Sequence, residues 1–311
     1  MRHTLKRGLK GASLLTVLAV VLAGCTSQSA LGWLPTERGL TNQVDRVIDL
    51  WVVSWVVLLI VGVITWLLII WATVVYRRRR GQSGLPAQLR YNMPIETFYT
   101  IVPLILVLGF FAFTARDQTI IEAPLEDPDV SIEVYGKRWA WDFNYLNENV
   151  YLAGIQGQEI PGGGVDNELL PKLYLPVNQS VEIKIESRDV IHSFWVIDFL
   201  YKKDMIPART NYWYFIPQEE GVFRGKCAEL CGEYHSLMLF EVHVVSEQEY
   251  NQQIQALRAQ GNVGRLGPPR RGLSHEGADC WCVGVSQRSA HGVHRYPQLW
   301  AGQLHRPHHR N

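Results

Sequence analysis

Four side chains that could bind a soft metal ion lie close together in the segment GKCAELCGEYHSLMLFEV. They are Cys227, Cys231, His235 and Met238. Thiolate, imidazole and thioether groups together are the donors that proteins offer to copper, and the first two also bind zinc. The residue types and their spacing therefore predict a metal site in this loop.

A fifth donor comes from an earlier part of the chain. His192, in SRDVIHSFWV, follows a stretch that alternates apolar and polar residues over positions 180–186. Such alternation indicates a half-buried β-strand. Because a β-sandwich brings strand ends next to loops that are distant in sequence, we expect His192 to join the four donors of the loop.

Four interpretations of these five donors are open. A disulfide is the usual state of two exported cysteines, but it would leave His192, His235 and Met238 without a role. Zinc accepts two cysteines and two histidines but has no use for a thioether. A blue-copper site takes two histidines, one cysteine and a weak axial methionine, so one thiolate is left over.

The fourth interpretation, a binuclear copper centre, uses every donor. Two thiolates would bridge two copper ions, each ion would take one imidazole, and Met238 would be a weak axial ligand to one of them. The backbone carbonyl of Glu229, between the two cysteines, could bind the other ion. Such a centre would transfer single electrons.

The first 25 residues have the features of an export signal. Basic residues come first, an uncharged apolar stretch follows, and the segment ends in Leu-Ala-Gly-Cys at Cys25. The apolar stretch is too short to cross a bilayer. The ending resembles a bacterial lipoprotein signal, which predicts cleavage before Cys25 and its lipidation; a plain signal peptide is the alternative.

Two uncharged runs, residues 50–76 and 97–115, predict a transmembrane hairpin over residues 45–116. Each run reaches about 20 residues, the length of a spanning helix. The short loop between them carries Arg77 to Arg80 and Arg90, and the positive-inside rule places such a loop in the cytoplasm. Everything from residue 117 onward is then expected on the outer face of the membrane.

Residues 117–262 are predicted to form an all-β domain. Period-two alternation occurs in VSIEVYGKRWAWDFNY from Val130, in SVEIKIE and in MLFEVHVV, with turn-rich stretches between them. A β-sandwich or Greek-key barrel follows. Residues 263–311 have no apolar periodicity and many Gly, Pro, Arg and His residues, so we expect a disordered tail there. The net charge of +1 gives no reason to expect nucleic acid as a partner.

The ligand pattern resembles one protein family. His192 followed by Cys-x-Glu-x-Cys-x-x-x-His-x-x-Met from Cys227 to Met238 is similar to subunit II of heme-copper oxidases of the cytochrome c oxidase type. The resemblance extends over about residues 45–255. It implies a cupredoxin-like Greek-key domain behind a two-helix transmembrane hairpin, with a binuclear copper centre called CuA.

The resemblance also implies a function. Electrons would pass from cytochrome c, or a complex containing it, through CuA to heme in subunit I of an aa3-type oxidase. Dioxygen would be reduced to water there, with proton translocation. Subunits I and III and the lipid of a bacterial cell membrane would be the other partners, and the chain would be a multi-pass protein of that membrane.

Residue roles follow from the resemblance position by position. The copper ligands would be His192, Cys227, Cys231, His235, Met238 and the Glu229 carbonyl. The Glu229 side chain would bind a magnesium ion at the boundary with subunit I. Trp139 would accept the electron from cytochrome c, and Glu96 would lie at the mouth of a proton channel. Asp142 and Asp189 would belong to the docking face.

Two other functions remain alternatives. A CuA domain could serve another terminal reductase, such as one for nitric or nitrous oxide. The chain could also be a copper-free structural subunit of a quinol oxidase. The hairpin with Glu96 favours the cytochrome c oxidase over another reductase, and the complete ligand set speaks against the copper-free subunit.

Overall fold

The structure of the protein is a computed structural model that describes residues 26–79, 81–85 and 88–267. It begins with a one-turn helix, α1 (Ser27–Ala30), followed by two long helices, α2 (Val44–Val75) and α3 (Met93–Ile121). The predicted signal peptide, with Cys25, lies outside the described residues. So does most of the predicted tail, from residue 268 onward.

Helices α2 and α3 are each long and apolar enough to cross a membrane. Their apolar side chains are exposed along most of their length, Leu59 and Leu67 among them. Water is a poor surrounding for so much apolar surface, whereas lipid is a good one. The internal proline, Pro103, lies inside α3, which remains a single helix. The predicted helical hairpin is confirmed: it begins one residue before the predicted residue 45 and ends five residues after the predicted residue 116.

Ten strands form the domain that follows. They are β1 (Val130–Lys137), β2 (Ala140–Tyr145), β3 (Val150–Ala153), β4 (Lys172–Pro176), β5 (Val181–Ser187), β6 (His192–Val196), β7 (Tyr201–Met205), β8 (Asn211–Phe215), β9 (Gly221–Cys227) and β10 (Leu239–Val245). One sheet has the order β3-β2-β1-β5-β8 and the other β4-β10-β9-β6-β7. The predicted alternating segments are β1 with β2, β5 and β10, and the predicted all-β sandwich is confirmed.

The core lies between the two sheets and is rich in aromatic rings. Phe194 of β6 and Phe240 of β10 stack with their centroids 4.7 Å apart, and Trp141 of β2 meets both rings edge-on. Gly225 of β9 lies directly under the Phe240 ring, where a Cβ atom would overlap it. Because ring and backbone approach so closely, the packing of β9 and β10 is fixed directly below the loop that carries Cys231 and His235.

Gln43 joins the hairpin to the β domain. Its side-chain amide donates to the carbonyl of Ile121, at the end of α3, over 2.9 Å and to that of Tyr214 in β8 over 2.6 Å. Its carbonyl oxygen faces the indole nitrogen of Trp213 at 3.4 Å. Because Gln43 directly precedes α2, one buried side chain connects both helices to a strand of the domain.

The last helix among the described residues, α4 (Glu247–Ala259), packs against β3 and β4, which are edge strands of the two sheets. It buries Tyr250, Ile254 and Leu257, whose spacing is that of one helix face. Beyond it, residues 262 and 263 pair with β3, and residues 265 and 266 contact β1 and β2. Arg265 forms an ion pair with the buried Glu133, and the Asn144 side chain exchanges two hydrogen bonds with the backbone of Leu266. The prediction of disorder from residue 263 is therefore wrong for residues 263–267.

Candidate metal centre

Three strand ends bring the predicted ligands together. His192 is the first residue of β6, Cys227 is the last of β9, and Met238 directly precedes β10. The antiparallel register of β6 and β9 sets Phe194 opposite Cys227. The Cys227 N–H donates to the Met238 carbonyl over 3.0 Å, and the Ala228 N–H donates to Ser193 over 3.0 Å. The sheet itself thus positions the loop that carries the remaining donors.

All five predicted side chains meet in one place. The Cys227 sulfur lies 3.8 Å from His192 Nδ1 and 3.9 Å from the Cys231 sulfur. The Cys231 sulfur in turn lies 3.4 Å from His235 Nδ1 and 3.8 Å from Met238 Sδ. The Glu229 carbonyl oxygen is 3.2 Å from the Cys227 sulfur. Every donor of the predicted copper set is therefore in contact with one of the two thiols.

The donors divide into two groups around the thiol pair. His192 Nδ1 and the Glu229 carbonyl approach Cys227, whereas His235 Nδ1 and Met238 Sδ approach Cys231. Donor atoms within 4.8 Å of one another come from His192, Cys227 and Cys231, and His235 stands outside this group. To bind a single tetrahedral ion, both imidazole nitrogens would have to lie at similar distances from both sulfur atoms. Two ions that share the thiolates would need this division.

The thiols are free and shielded from water. Cys227 is 2% exposed and Cys231 is 5% exposed, and their sulfur atoms at 3.9 Å are far beyond the ~2.05 Å of a disulfide bond. Met238 and His192 are fully buried. A metal bound between these groups would lie in a medium of low dielectric constant, with few waters to reorganise when its charge changes.

Asp189 holds the His192 ring from behind. Its Oδ1 lies 2.8 Å from His192 Nε2, and its Oδ2 accepts a hydrogen bond from the Arg138 backbone N–H over 2.7 Å. Burial alone would lower the pKa of His192, but the carboxylate and the neighbouring Cys227 outweigh burial and raise it. A proton on Nε2, shared with Asp189, leaves Nδ1 free to face a metal, as in many carboxylate-histidine-metal arrangements.

The two thiols differ in acidity. Burial would raise the pKa of Cys227, yet the hydrogen bond with His192 and backbone contacts at Ser193 and Glu229 bring it below the ordinary thiol value. Burial and the neighbouring Cys227 raise the pKa of Cys231 to about 12. In the metal-free protein the first sulfur is the better anion, and a bound cation would stabilise both as thiolates.

Sequence reasoning did not assign two neighbours that shape the site. A Cβ atom on Gly136 would lie 3.0 Å from Cδ2 of the His192 ring, so this position in β1 leaves room for the imidazole. The indole of Trp141 donates to the Met238 carbonyl over 3.3 Å, which already accepts from Cys227. Neither glycine nor a strand tryptophan carries a sequence signal for such a role; only the register of the sheets brings them here.

Trp139 lies against the ligand loop at the protein surface. Its indole nitrogen donates to the Cys231 carbonyl over 3.3 Å, and its ring meets Tyr234 edge-on at 4.9 Å. Gly232 has φ of 127°, and a Cβ atom there would lie 3.1 Å from the Trp139 ring. The half-buried ring is thus one hydrogen bond away from the backbone of a predicted copper ligand.

The acidic residues predicted for the docking face lie in different surroundings. Asp142 is buried and pairs with Lys137 at 2.7 Å and with Arg188 at 3.3 Å, so the prediction of a surface acid is wrong for it. A carboxylate that already satisfies two cations inside a sheet is not available to steer a partner. Asp189 keeps some exposure beside Arg138, and its docking role stays a prediction.

Two further predicted roles belong to carboxylates that lie apart from the thiols. The Glu229 side chain is exposed, while its carbonyl faces Cys227. Glu96 lies in the first turn of α3, where its carboxylate accepts the Asn92 N–H over 2.8 Å and so helps to cap the helix. Their predicted roles, in magnesium binding and proton uptake, stay predictions.

Fold and site together define a class of protein: two helices that could cross a membrane, followed by a β-sandwich that carries thiol and imidazole groups able to bind a metal. The family model described as "Cytochrome C oxidase subunit II, periplasmic domain" matches residues 130–245. The probable cytochrome c oxidase subunit 2 of Streptomyces avermitilis is 39% identical over 307 residues, which cover 88% of this chain and 94% of the relative.

A relative from Mycobacterium tuberculosis, cytochrome c oxidase subunit 2, is 32% identical over 296 residues, which cover 80% of this chain and 81% of the relative. Among solved structures, the periplasmic domain of subunit II of cytochrome oxidase of Bradyrhizobium japonicum is 29% identical, with a TM-score of 0.39, over 44% of this chain and 99% of that one. The chain belongs to the cytochrome c oxidase subunit II family. The family and the two helices make it a membrane protein and a subunit of a terminal oxidase.

Proposed function

We propose that the chain is the electron-accepting subunit of an aa3-type cytochrome c oxidase and binds a CuA centre. The observation that carries the proposal is the division of the donors: one imidazole and one weak donor stand at each of two thiols that are 3.9 Å apart. Cys227 and Cys231, with His192, His235, Met238 and the Glu229 carbonyl, would hold two copper ions, and these ions would supply a carrier of single electrons.

The protein residues prepare such a site in three ways. Cys227 and Cys231 offer two sulfurs from one loop, whose ends are fixed by β9 and β10, and a bound cation would stabilise both as thiolates. Asp189 orients His192, and burial removes water that would have to reorganise when an electron arrives or leaves. A site that is held by its surroundings in both charge states changes little in geometry, which suits rapid transfer of single electrons.

The path from the donor would begin at Trp139. Its ring is partly exposed and its indole nitrogen reaches the Cys231 carbonyl, so aromatic ring, hydrogen bond and ligand residue are continuous from surface to site. Cytochrome c, free or within a larger complex, would dock over this ring. Asp189 would contribute negative charge to that surface and would favour a basic partner through the association rate.

The remaining roles concern the assembled oxidase. We assign the Glu229 carboxylate to a magnesium ion at the boundary with subunit I, and Glu96 to the mouth of a proton channel shared with that subunit. Subunit III would complete the complex. The arginines between α2 and α3 favour a cytoplasmic position for their loop, and the β domain would then face outward from a bacterial cell membrane.

Replacement of Trp139 by phenylalanine in the assembled oxidase tests the electron path. Electron transfer from reduced cytochrome c should slow markedly, whereas copper content and the copper spectrum should stay unchanged. Trp195→Phe is a matched control, because Trp195 is also half-buried but packs against Lys226 on another face. Equal rates for wild type and Trp139→Phe would overturn this path; loss of copper in the variant would show a structural role instead.

A further inference from the structure

Trp33 is the most exposed tryptophan among the described residues, with 72% of its surface accessible. It lies in the segment between α1 and α2, where Leu31 and Leu34 on either side of it contact the hydrophobic core. An indole ring that points away from the protein, between neighbours that point inward, has to find its contacts outside the chain. The ring is apolar apart from one N–H group, so water alone does not suit it.

The position of Trp33 relative to helix α2 is fixed by contacts at the preceding residue. The Trp51 indole of α2 donates to the Gly32 carbonyl over 2.8 Å. A Cβ atom on Gly32 would lie 2.6 Å from the Trp51 ring, so the backbone is pressed directly against that ring. The Trp33 N–H donates to Gln28 over 3.0 Å. Trp33 is thereby held at the level of Trp51 along the α2 axis.

Trp51 marks the level at which α2 passes from charged to apolar sequence. Asp45, Arg46 and Asp49 lie in the first two turns of α2, and from residue 50 to residue 76 the chain carries no charge. Asp49 is paired with Arg38 at 2.7 Å, on the water side of this level. The boundary between headgroups and hydrocarbon of a surrounding bilayer therefore falls close to Trp51.

The backbone at Trp33 gives a second, independent observation. Its φ angle is 59°, in the left-handed region that bulky side chains rarely adopt, and Gly32 before it has φ of 60°. This conformation is what turns the Trp33 side chain outward between two inward-facing leucines. Sites where an unfavourable backbone angle is kept for a large side chain are often sites where that side chain binds something.

We propose that Trp33 inserts its ring into the headgroup boundary of the leaflet on the side of the β domain. The bound partner is phospholipid, and Trp33 forms an aromatic belt with Trp51 and Trp55, whose rings meet edge-on at 5.7 Å. Tryptophan favours this depth because its ring enters the apolar region while its N–H stays near water and phosphate. The inference needs α2 to span a bilayer but does not need a copper centre.

Photo-crosslinking of the full-length chain tests the proposal. The chain carries p-benzoyl-phenylalanine at position 33, 59 or 230 and is reconstituted into vesicles of phosphatidylethanolamine and phosphatidylglycerol. Trp33→p-benzoyl-phenylalanine should give lipid adducts by mass spectrometry, as should Leu59 in the middle of α2. Leu230, 78% exposed on the metal-ligand loop, is the matched negative control.

The outcomes separate this inference from the membrane assignment. Lipid adducts at position 59 without adducts at position 33 would overturn the proposal and leave the spanning helix intact. No adduct at position 59 would overturn both. In a second measurement, the fluorescence of Trp33 is obtained as the difference between wild type and Trp33→Phe. This fluorescence should be quenched more strongly by lipids brominated near the headgroup than by lipids brominated near the chain end. Equal or absent quenching would also contradict the proposal.

Discussion

Asp189 Oδ1 lies 2.8 Å from His192 Nε2, and the opposite nitrogen of the same ring faces the Cys227 sulfur at 3.8 Å. The carboxylate thus decides which imidazole nitrogen is free for a metal. Two of its other hydrogen bonds come from the backbone N–H groups of Arg138 and Val190, so the carboxylate itself is held in place. Orientation of a ligand by such a partner is a large part of the affinity of many metal sites.

Asp189→Asn should therefore weaken copper binding by about 10- to 100-fold, because the amide can present its N–H to the ring and favour the wrong tautomer. The measurement is copper affinity by competition with a chelator, together with the copper spectrum. Asp204→Asn, at an exposed position of β7, is the matched control and should change neither. Wild-type copper affinity in Asp189→Asn, with a changed salt dependence of cytochrome c binding, would leave docking as its role.

Copper uptake should become stronger as the pH rises. The Cys231 pKa of about 12 keeps this thiol protonated at neutral pH, and the raised pKa of His192 beside the lowered pKa of Cys227 places a second proton on that pair. Both protons must leave when copper binds. Apparent affinity should rise by about 10- to 100-fold per pH unit between about pH 6 and 8, since one or two protons are released. Constant affinity over this range would contradict the prediction.

Gly136→Ala should disturb the site without touching a ligand. The new methyl group would lie 3.0 Å from the His192 ring, so either the imidazole or β1 must move. We expect a loss of about 1 to 3 kcal/mol in the free energy of unfolding and a shifted copper spectrum. Gly267→Ala is the control, because no atom of the described residues lies within 4 Å of its Cβ position. A wild-type spectrum in Gly136→Ala would show that the ring has more room than the structure gives it.

Gln43→Leu should loosen the joint between the hairpin and the β domain. Its two amide hydrogen bonds end on the carbonyls of Ile121 and Tyr214, which would be left without this donor. A loss of about 1 to 3 kcal/mol is expected, measured as thermal unfolding of the chain in detergent. Gln255→Leu, on the exposed face of α4, is the matched control. The copper spectrum should be the same in both variants, since Gln43 makes no contact with a predicted ligand.

The fold could be predicted from local patterns wherever those patterns had a single period. The uncharged runs gave the two helices, and alternation in β1, β5 and β10 gave strands, because each period matches one geometry. The ordered structure of residues 263–267 could not be predicted. Arg265 and Leu266 are held by Glu133 and Asn144, which lie in strands more than a hundred residues earlier. No local pattern reports such a contact.

The ligands could be predicted because their types and spacing are specific, but their supports could not. Cys227, Cys231, His235 and Met238 share one loop, so the sequence shows them together. The residues that support the ligands are brought to the site by the register and packing of the strands. Gly136, for example, meets the His192 ring through the packing of the two sheets. The burial of Asp142 was missed for the same reason, as Arg188 reaches it from the loop after β5.

Electron paramagnetic resonance of the copper-loaded chain tests the central claim most directly. The full-length protein, purified without other subunits and reconstituted with copper under reducing conditions, should bind two copper ions. After one-electron oxidation, the hyperfine pattern should show one unpaired electron shared equally between two copper nuclei. Cys231→Ser should lose this pattern, because one bridging sulfur is removed. A single copper per chain, zinc alone, or a Cys227 to Cys231 disulfide that binds no metal after reduction would contradict a binuclear centre.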